Sequence, residues 1–254
     1  MTLAQATGDT PPRPYLDELS AALERARRAN RQSLTEAAAI VERVVAGDGI
    51  VFAFGSGHSQ LAVLDLNRRA GSIAALQVVF DPSWGAAEHV AGYGETLLAD
   101  AAPGPRDCLI AISHSGSTVA AIDVASRTRA AGAPVIAVTS RRASRSAPES
   151  PGRRLWELAD VVLDDGSPDE ESGIGGHGPS LWVAPTSTVV ATALLHEVVG
   201  EAIGRMAARA VEAPVLRSNS DVGGRQHIER LRDLYRARVR LVPEDGKRDT
   251  RVGS

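Results

Sequence analysis

Two short segments of this chain gather hydroxyls and glycines directly after apolar runs: Gly55-Ser56-Gly57-His58-Ser59 and Ser113-His114-Ser115-Gly116-Ser117-Thr118. In each, glycine permits a tight turn and close backbone approach, and the helix expected to follow aims its free N-terminal amides at an anion. Ser56, Ser59, Ser113, Ser115 and Thr118 would add neutral hydroxyl donors, a set suited to a phosphate monoester. No lysine is needed for such a cradle, and the only one in the chain is Lys247. A single serine-rich turn is ordinarily a helix cap. Two such turns at adjacent strand ends point instead to a phosphate cradle.

The same loops exclude two common phosphate motifs. The third glycine of a dinucleotide fingerprint would fall at Gln60, and there is no Gly-x-x-x-x-Gly-Lys segment. General acid-base chemistry on a small phosphate ester would call for a carboxylate base and a histidine acid. The carboxylates worth weighing are Asp65, Glu88 and Glu197, of which Asp65 and Glu88 are carried forward as bases. Asp65 falls about a turn and a half into the helix after the first loop. Glu88 reads either as a first-turn acid interacting with a helix dipole or as a functional carboxylate beside His89. His196, in the apolar run 193–199, is the candidate acid; Gly200 stands where a zinc-protease motif would need its second histidine. His58 and His114 lie inside the two hydroxyl loops, His227 at a late helix start and His177 in a glycine-rich loop read as mobile.

The elements that must position these residues follow a regular rhythm. Apolar residues at three- and four-residue intervals over 15–46 predict two amphipathic helices or one bent helix. Strands are expected over 50–54, 75–80, 108–112, 135–139 and 160–163, and helices over 60–69, 88–99, 119–131, 185–211 and 226–239. Strands alternating with helices, in short runs of continuous β-branched residues, imply an α/β fold with a doubly wound, five-stranded parallel sheet and helical extensions at both termini. Two irregular segments, basic 141–154 and acidic 164–179, read as solvated loops or as lids. Residues 1–14 read as a disordered leader, 15–241 as the domain, and 242–254 as a disordered charged tail.

Composition narrows the function classes. The chain has 254 residues and a net charge of -3, which gives no electrostatic reason to expect nucleic acid. Its apolar runs fall short of the roughly 20 residues of a membrane span, and the N-terminus lacks the pattern of a signal peptide, so a cytoplasmic setting is expected. The single cysteine, Cys108, sits in an apolar run and reads as a buried structural thiol. No metal or other cofactor is assigned.

The motif Ser113 to Thr118 resembles the phosphate loop of sugar isomerase (SIS) domains, a Rossmann-like fold shared by isomerases, synthases and sugar-responsive regulators. Phe54 to Ser59, Arg69-Ala70-Gly71, Asp81-Pro82-Ser83, Gly92-Tyr93-Gly94, Ala137 to Ser140, Pro185 to Val189 and Asn219 to Gly224 resemble a bacterial branch of stand-alone SIS proteins. Against the phosphoheptose isomerases of that superfamily, the phosphate hydroxyls match Ser59, Ser113, Ser115 and Thr118. The metal and acid-base positions match Asp65, Arg69, Thr188 and His196. Only His196 is retained in kind, and Arg69 replaces a carboxylate, which argues against heptose isomerisation and its zinc site.

The resemblance implies a phosphosugar-binding protein and a small-molecule sugar phosphate as its partner. An aldose-ketose isomerase is the first expectation, with Asp65 or Glu88 as base and His196 as acid. A non-catalytic phosphosugar sensor is the second, and a sugar-phosphate lyase or etherase the third. SIS domains generally pair, so a homodimer or higher homo-oligomer is expected, with His227 closing over a neighbour's site.

Overall fold

The structure, a computed structural model, describes residues 15–146, 153–167 and 183–240. The expected leader over 1–14, the tail over 242–254 and His177 lie outside them. Five strands form one parallel sheet in the order β2-β1-β3-β4-β5: β1 Val51–Gly55, β2 Leu76–Val79, β3 Cys108–Ile112, β4 Val135–Thr139 and β5 Val161–Asp164. All residues of β1, β3 and β4 are buried. That is why they read as unbroken apolar runs: a parallel sheet covered on both faces has no solvent side to alternate toward.

One face carries α2 (Arg31–Ala46), α3 (Ser59–Leu66) and α7 (Ser187–Ala208), with α1 (Tyr15–Ala29) packed on α7. The other carries α4 (Tyr93–Leu97) and α5 (Val119–Ala130), together with a 3-10 turn at Leu155–Leu158. The chain runs from β1 outward to β2, then back past β1 to β3. With right-handed crossovers, α3 and α5 must lie on opposite faces. The loops after β1 and β3 therefore diverge and leave a crevice at the topological switch point, where open α/β sheets take their ligands. Both hydroxyl loops border that crevice.

The break between α1 and α2 has a specific cause. The Asn30 side chain is buried, donates to Ala26 O and to Asp164 O, and accepts from Asp164 N at 2.7 Å. This ties the joint to the end of β5 and satisfies backbone groups that two abutting helix ends leave open.

Several expected boundaries are corrected. The helix expected over 60–69 ends at Leu66, and Arg68 takes a positive φ of 57°. The helix expected over 88–99 shrinks to α4, so Glu88 starts no helix and lies in a series of turns that closes at Gly92, φ 78°. The basic segment 141–154 opens with a short helix, α6 (Arg141–Ser146), where Ser140 Oγ accepts the Ala143 amide. Residues 147–152 of that segment, and 168–182 of the acidic one, lie outside the described residues.

After α7 the chain returns along the free edge of β2. Val215 bridges Ile73, Leu216 bonds the backbone of Gly71 and Ser72, and α8 (Gly224–Tyr235) follows. Beyond it, Arg238 grips the buried Asp107 carboxylate with two bonds of 2.6 and 2.8 Å. Asp107 in turn accepts the Ile50 amide, so the clamp closes on the amino ends of β1 and β3. The described helices include none long and apolar enough to cross a membrane.

Candidate functional site at the carboxyl edge of the sheet

The first loop turns on two glycines. A Cβ on Gly55 would lie 2.5 Å from Ser59 O, so only glycine lets α3 start this close to β1, and Gly57 takes φ 54°. Ser59 begins α3 and is partly exposed. Ser56, in contrast, is buried and donates to Asp81 Oδ2 at 2.6 Å. Its hydroxyl proton serves the loop rather than the crevice.

The second loop is self-supporting. Ser113 Oγ and Thr118 Oγ1 are 2.9 Å apart across the turn, and Gly116 takes φ 61°. Ser115 Oγ accepts both the Ser117 hydroxyl, at 2.9 Å, and the Ser117 amide. With both bonds accepted, the Ser115 proton is left to donate to a ligand. A Cβ on Gly116 would meet Ser144 Oγ at 2.5 Å, so α6 backs this turn closely. His114 faces the other way: Nδ1 lies 2.8 Å from Oδ2 of the nearly buried Asp165, and its carbonyl accepts from Ser140 N and Thr139 Oγ1. Cys108 is fully buried in β3, and burial pushes its thiol far up, so it is an inert packing group.

Between the loops lies a segment that the sequence marked only in part. Asp81 ends the β2 connection completely buried, and its carboxylate accepts from five donors: Ser56 Oγ, Ser83 N, Ser83 Oγ, Gly85 N and Tyr93 Oη. Burial raises its pKa, but the hydroxyls of Ser56, Tyr93 and Ser83 outweigh that and hold the carboxyl below its usual range. Gln60, also fully buried, pairs its amide with both backbone groups of Asp81. Sequence reasoning missed both residues. A single buried Asp or Gln has no periodic signature, although Asp-x-Ser after a strand is a recognisable turn signal.

This scaffold places Glu88. A Cβ on Gly85 would be 3.5 Å from Glu88 Oε2 and one on Gly57 would be 3.9 Å from the same oxygen, so the carboxylate rests on the turn after β1. The Glu88 carbonyl accepts the Ala120 amide, at 2.9 Å, in the first turn of the helix after the second loop. Glu88 thus rests its side chain on the turn after β1 and its backbone on the first turn of α5. His89 is exposed, and its Nε2 is 3.5 Å from Glu88 Oε1.

Asp65 and His196 meet across the α3–α7 contact. His196 Nε2 is 2.7 Å from Asp65 Oδ2, and Arg69 pairs with Oδ1. The bond to His196 and the charge of Arg69 hold Asp65 below the usual carboxylate range against its partial burial. Both carboxylate oxygens are engaged, which makes Asp65 a poor proton acceptor and a good orienter of the imidazole. Glu197 points outward and is exposed, and the Thr188 carbonyl accepts from Thr192 Oγ1.

The zinc that the heptose isomerase resemblance implies does not fit this cluster. Among the described residues, Asp65 and His196 are its two donors, and the guanidinium bonded to Asp65 would oppose a dication at the same place. No group of three His, Cys, Asp or Glu side chains among the described residues is arranged to hold a metal ion. His227 Nε2 lies 2.8 Å from Val215 O of its own chain.

A family model for the SIS domain matches residues 14–140. A UPF0309 protein of Listeria monocytogenes is 31% identical over 227 residues, covering 89% of this chain and 97% of its own. One from Streptomyces avermitilis is 33% identical over 239 residues, covering 89% and 95%. Among solved structures, a phosphoheptose isomerase from Neisseria gonorrhoeae superposes with a TM-score of 0.54 at 18% identity, over 74% of this chain and 95% of that one. The NanR protein of Vibrio vulnificus, complexed with ManNAc-6P, superposes with a TM-score of 0.50 at 15% identity, over 88% and 67%. Such low identities carry the fold and leave the reaction open. On the match of half its length and on its full-length relatives, the chain belongs to the SIS domain family and, within it, to the UPF0309 proteins.

Proposed function

We propose that this protein binds a small sugar phosphate at the switch-point crevice and interconverts its aldose and ketose forms. Ser59, Ser113, Ser115 and Thr118 would hold the phosphate, with Ser56 acting through Asp81 to fix the first loop. Glu88 would take the C2 proton and return it at C1, while the O2 hydroxyl proton passes to O1 and the carbonyl moves from C1 to C2. His196, oriented by Asp65, would protonate the ring oxygen during opening. The observation that carries this reading is the position of Glu88: its carboxylate lies on the Gly57 turn and its carbonyl on the Ala120 amide. Asp65 is the weaker candidate for the base because Arg69 and His196 occupy both its oxygens. A cytoplasmic setting, a single domain over 15–241 and assembly into a homodimer belong to the same reading.

The test is proton NMR in deuterated water with hexose, heptose and amino-sugar phosphates. Loss of the C1 or C2 proton signal in one sugar, abolished by Glu88→Gln and weakened by Ser115→Ala, is the expected result. Line broadening without exchange in any sugar would replace the isomerase with a phosphosugar sensor. That second reading draws on the neutralisation of Asp65 by Arg69, which removes one of the two candidate bases.

A further inference from the structure

Trp84 stands in an improbable conformation beside the crevice. Its φ is 51°, a left-handed backbone region that a bulky side chain enters only under constraint. The constraint is visible on both sides of it. The Ser83 and Gly85 amides are both bonded to the Asp81 carboxylate, at 2.8 and 3.0 Å, and the Trp84 amide reaches Asp81 O at 3.3 Å. Three successive amides around one aspartate leave the intervening residue no relaxed φ.

The strain delivers no burial. Trp84 remains 54% exposed, although a tryptophan ring is among the largest apolar surfaces a chain can hide. The ring is nevertheless anchored: it meets Phe80 edge-on, with centroids 6.1 Å apart and planes at 90°. Its carbonyl is 3.9 Å from the position of a Cβ on Gly57, in the same turn that supports Glu88. A strained residue whose ring is anchored on Phe80 and left uncovered thus sets its backbone against the loop assigned to the phosphate and the base.

We infer that Trp84 is the ring-recognising wall of the sugar site, stacking on the C–H face of a cyclic sugar phosphate while the hydroxyl loops hold its phosphate. The inference rests on the phosphosugar reading above and adds a substrate class to it: the bound form is the closed ring, before opening. Sugar faces rich in C–H bonds carry a slight positive potential that the negative face of an indole attracts, and the contact removes apolar surface from water. A flat anchored ring discriminates cyclic from open-chain phosphates, which hydroxyl donors to the phosphate do not. Strain held at a binding loop and relieved nowhere else is the pattern expected of a preorganised contact.

The test compares the wild-type chain with Trp84→Phe and Trp84→Gly by titration with three probes: a pool of hexose and hexosamine 6-phosphates, open-chain glycerol 3-phosphate, and inorganic phosphate. Trp84→Gly should weaken the cyclic sugars about tenfold, leave the other two probes within about twofold, and raise the thermal midpoint by about 2 °C because glycine accepts the positive φ. Trp84→Phe, which keeps an aromatic face, should retain most of the affinity. Equal weakening of all three probes by Trp84→Gly, or no weakening of the cyclic sugars, overturns the inference. So does a change of oligomeric state by light scattering with sugar affinity unchanged, which would assign the ring to a second copy of the chain. Failure of the wild-type chain to bind any probe would instead remove the phosphosugar reading itself.

Discussion

His196 Nε2 and Asp65 Oδ2 are 2.7 Å apart, although 131 residues separate them in the chain. The contact joins the helix after the first hydroxyl loop to the long helix that closes the same face of the sheet. Asp65→Asn keeps the size of the side chain but removes its charge and one acceptor. It should lower kcat by about tenfold to a hundredfold with KM nearly unchanged, because the orienter and not the binding loops is altered. Steady-state kinetics on the sugar identified by proton exchange would check this; a rise in KM alone would place Asp65 in binding.

The depressed pKa of Asp65 also sets a pH dependence. A carboxyl whose folded pKa lies below its unfolded value, about 3.9, stabilises the fold above that value. The contribution is lost as the pH falls through the lowered folded value. Asp65→Asn should therefore lose less stability than the wild type between about pH 5 and pH 2. Urea unfolding across that range would show it as a flatter acid limb.

Asp81 holds five donors in a dry position. Asp81→Ala orphans them and should destabilise the protein by about 3 kcal/mol or more. The turn over 81–92 would also release Glu88 from the crevice. Denaturant midpoints and exchange activity measured at low temperature, where the variant remains folded, should fall together. Full activity in a folded Asp81→Ala protein would mean that this carboxylate does not position Glu88.

Gly94 shows where α4 and α5 approach too closely for any side chain. A Cβ there would be 2.3 Å from Ala120 O and 2.7 Å from Asp123 Cβ. Gly94→Ala should cost about 1–3 kcal/mol, the usual range for overpacking. It pushes on Ala120, whose amide holds the Glu88 carbonyl, so exchange activity should drop more than stability alone explains. A thermal melt with a parallel activity measurement at 25 °C would separate the two effects.

Arg238 closes the fold from the far end. Arg238→Ala leaves Asp107 buried with the amides of Ile50 and Gly104 as its partners, and an uncompensated buried charge costs about 3–5 kcal/mol. Because Arg238 is partly exposed, solvent reduces this toward about 2 kcal/mol. The loss should appear in the denaturant midpoint while phosphosugar affinity stays the same, since the clamp sits at the amino ends of the strands.

By itself the sequence determined the strands, their parallel order class and the two hydroxyl loops. Those features are local: unbroken apolar runs mark strands buried on both faces, and Gly-Ser and Ser-x-Ser-Gly turns are legible because backbone geometry demands glycine there. β3 and β4 match the expected bounds, whereas the connection after β2, read as a long helix from Glu88, is a set of turns with one short helix. The periodicity of residues 88–99 suggested a helix. What overrode it was the Asp81 carboxylate gathering amides and hydroxyls from four neighbours, a tertiary arrangement with no repeat to detect. Only the folded chain decided that Ser56 serves Asp81, that Asp65 is engaged on both oxygens and that the Glu88 carboxylate rests on the turn after β1. Each depends on side chains from separate elements meeting, and the distance between such residues is not written in their spacing.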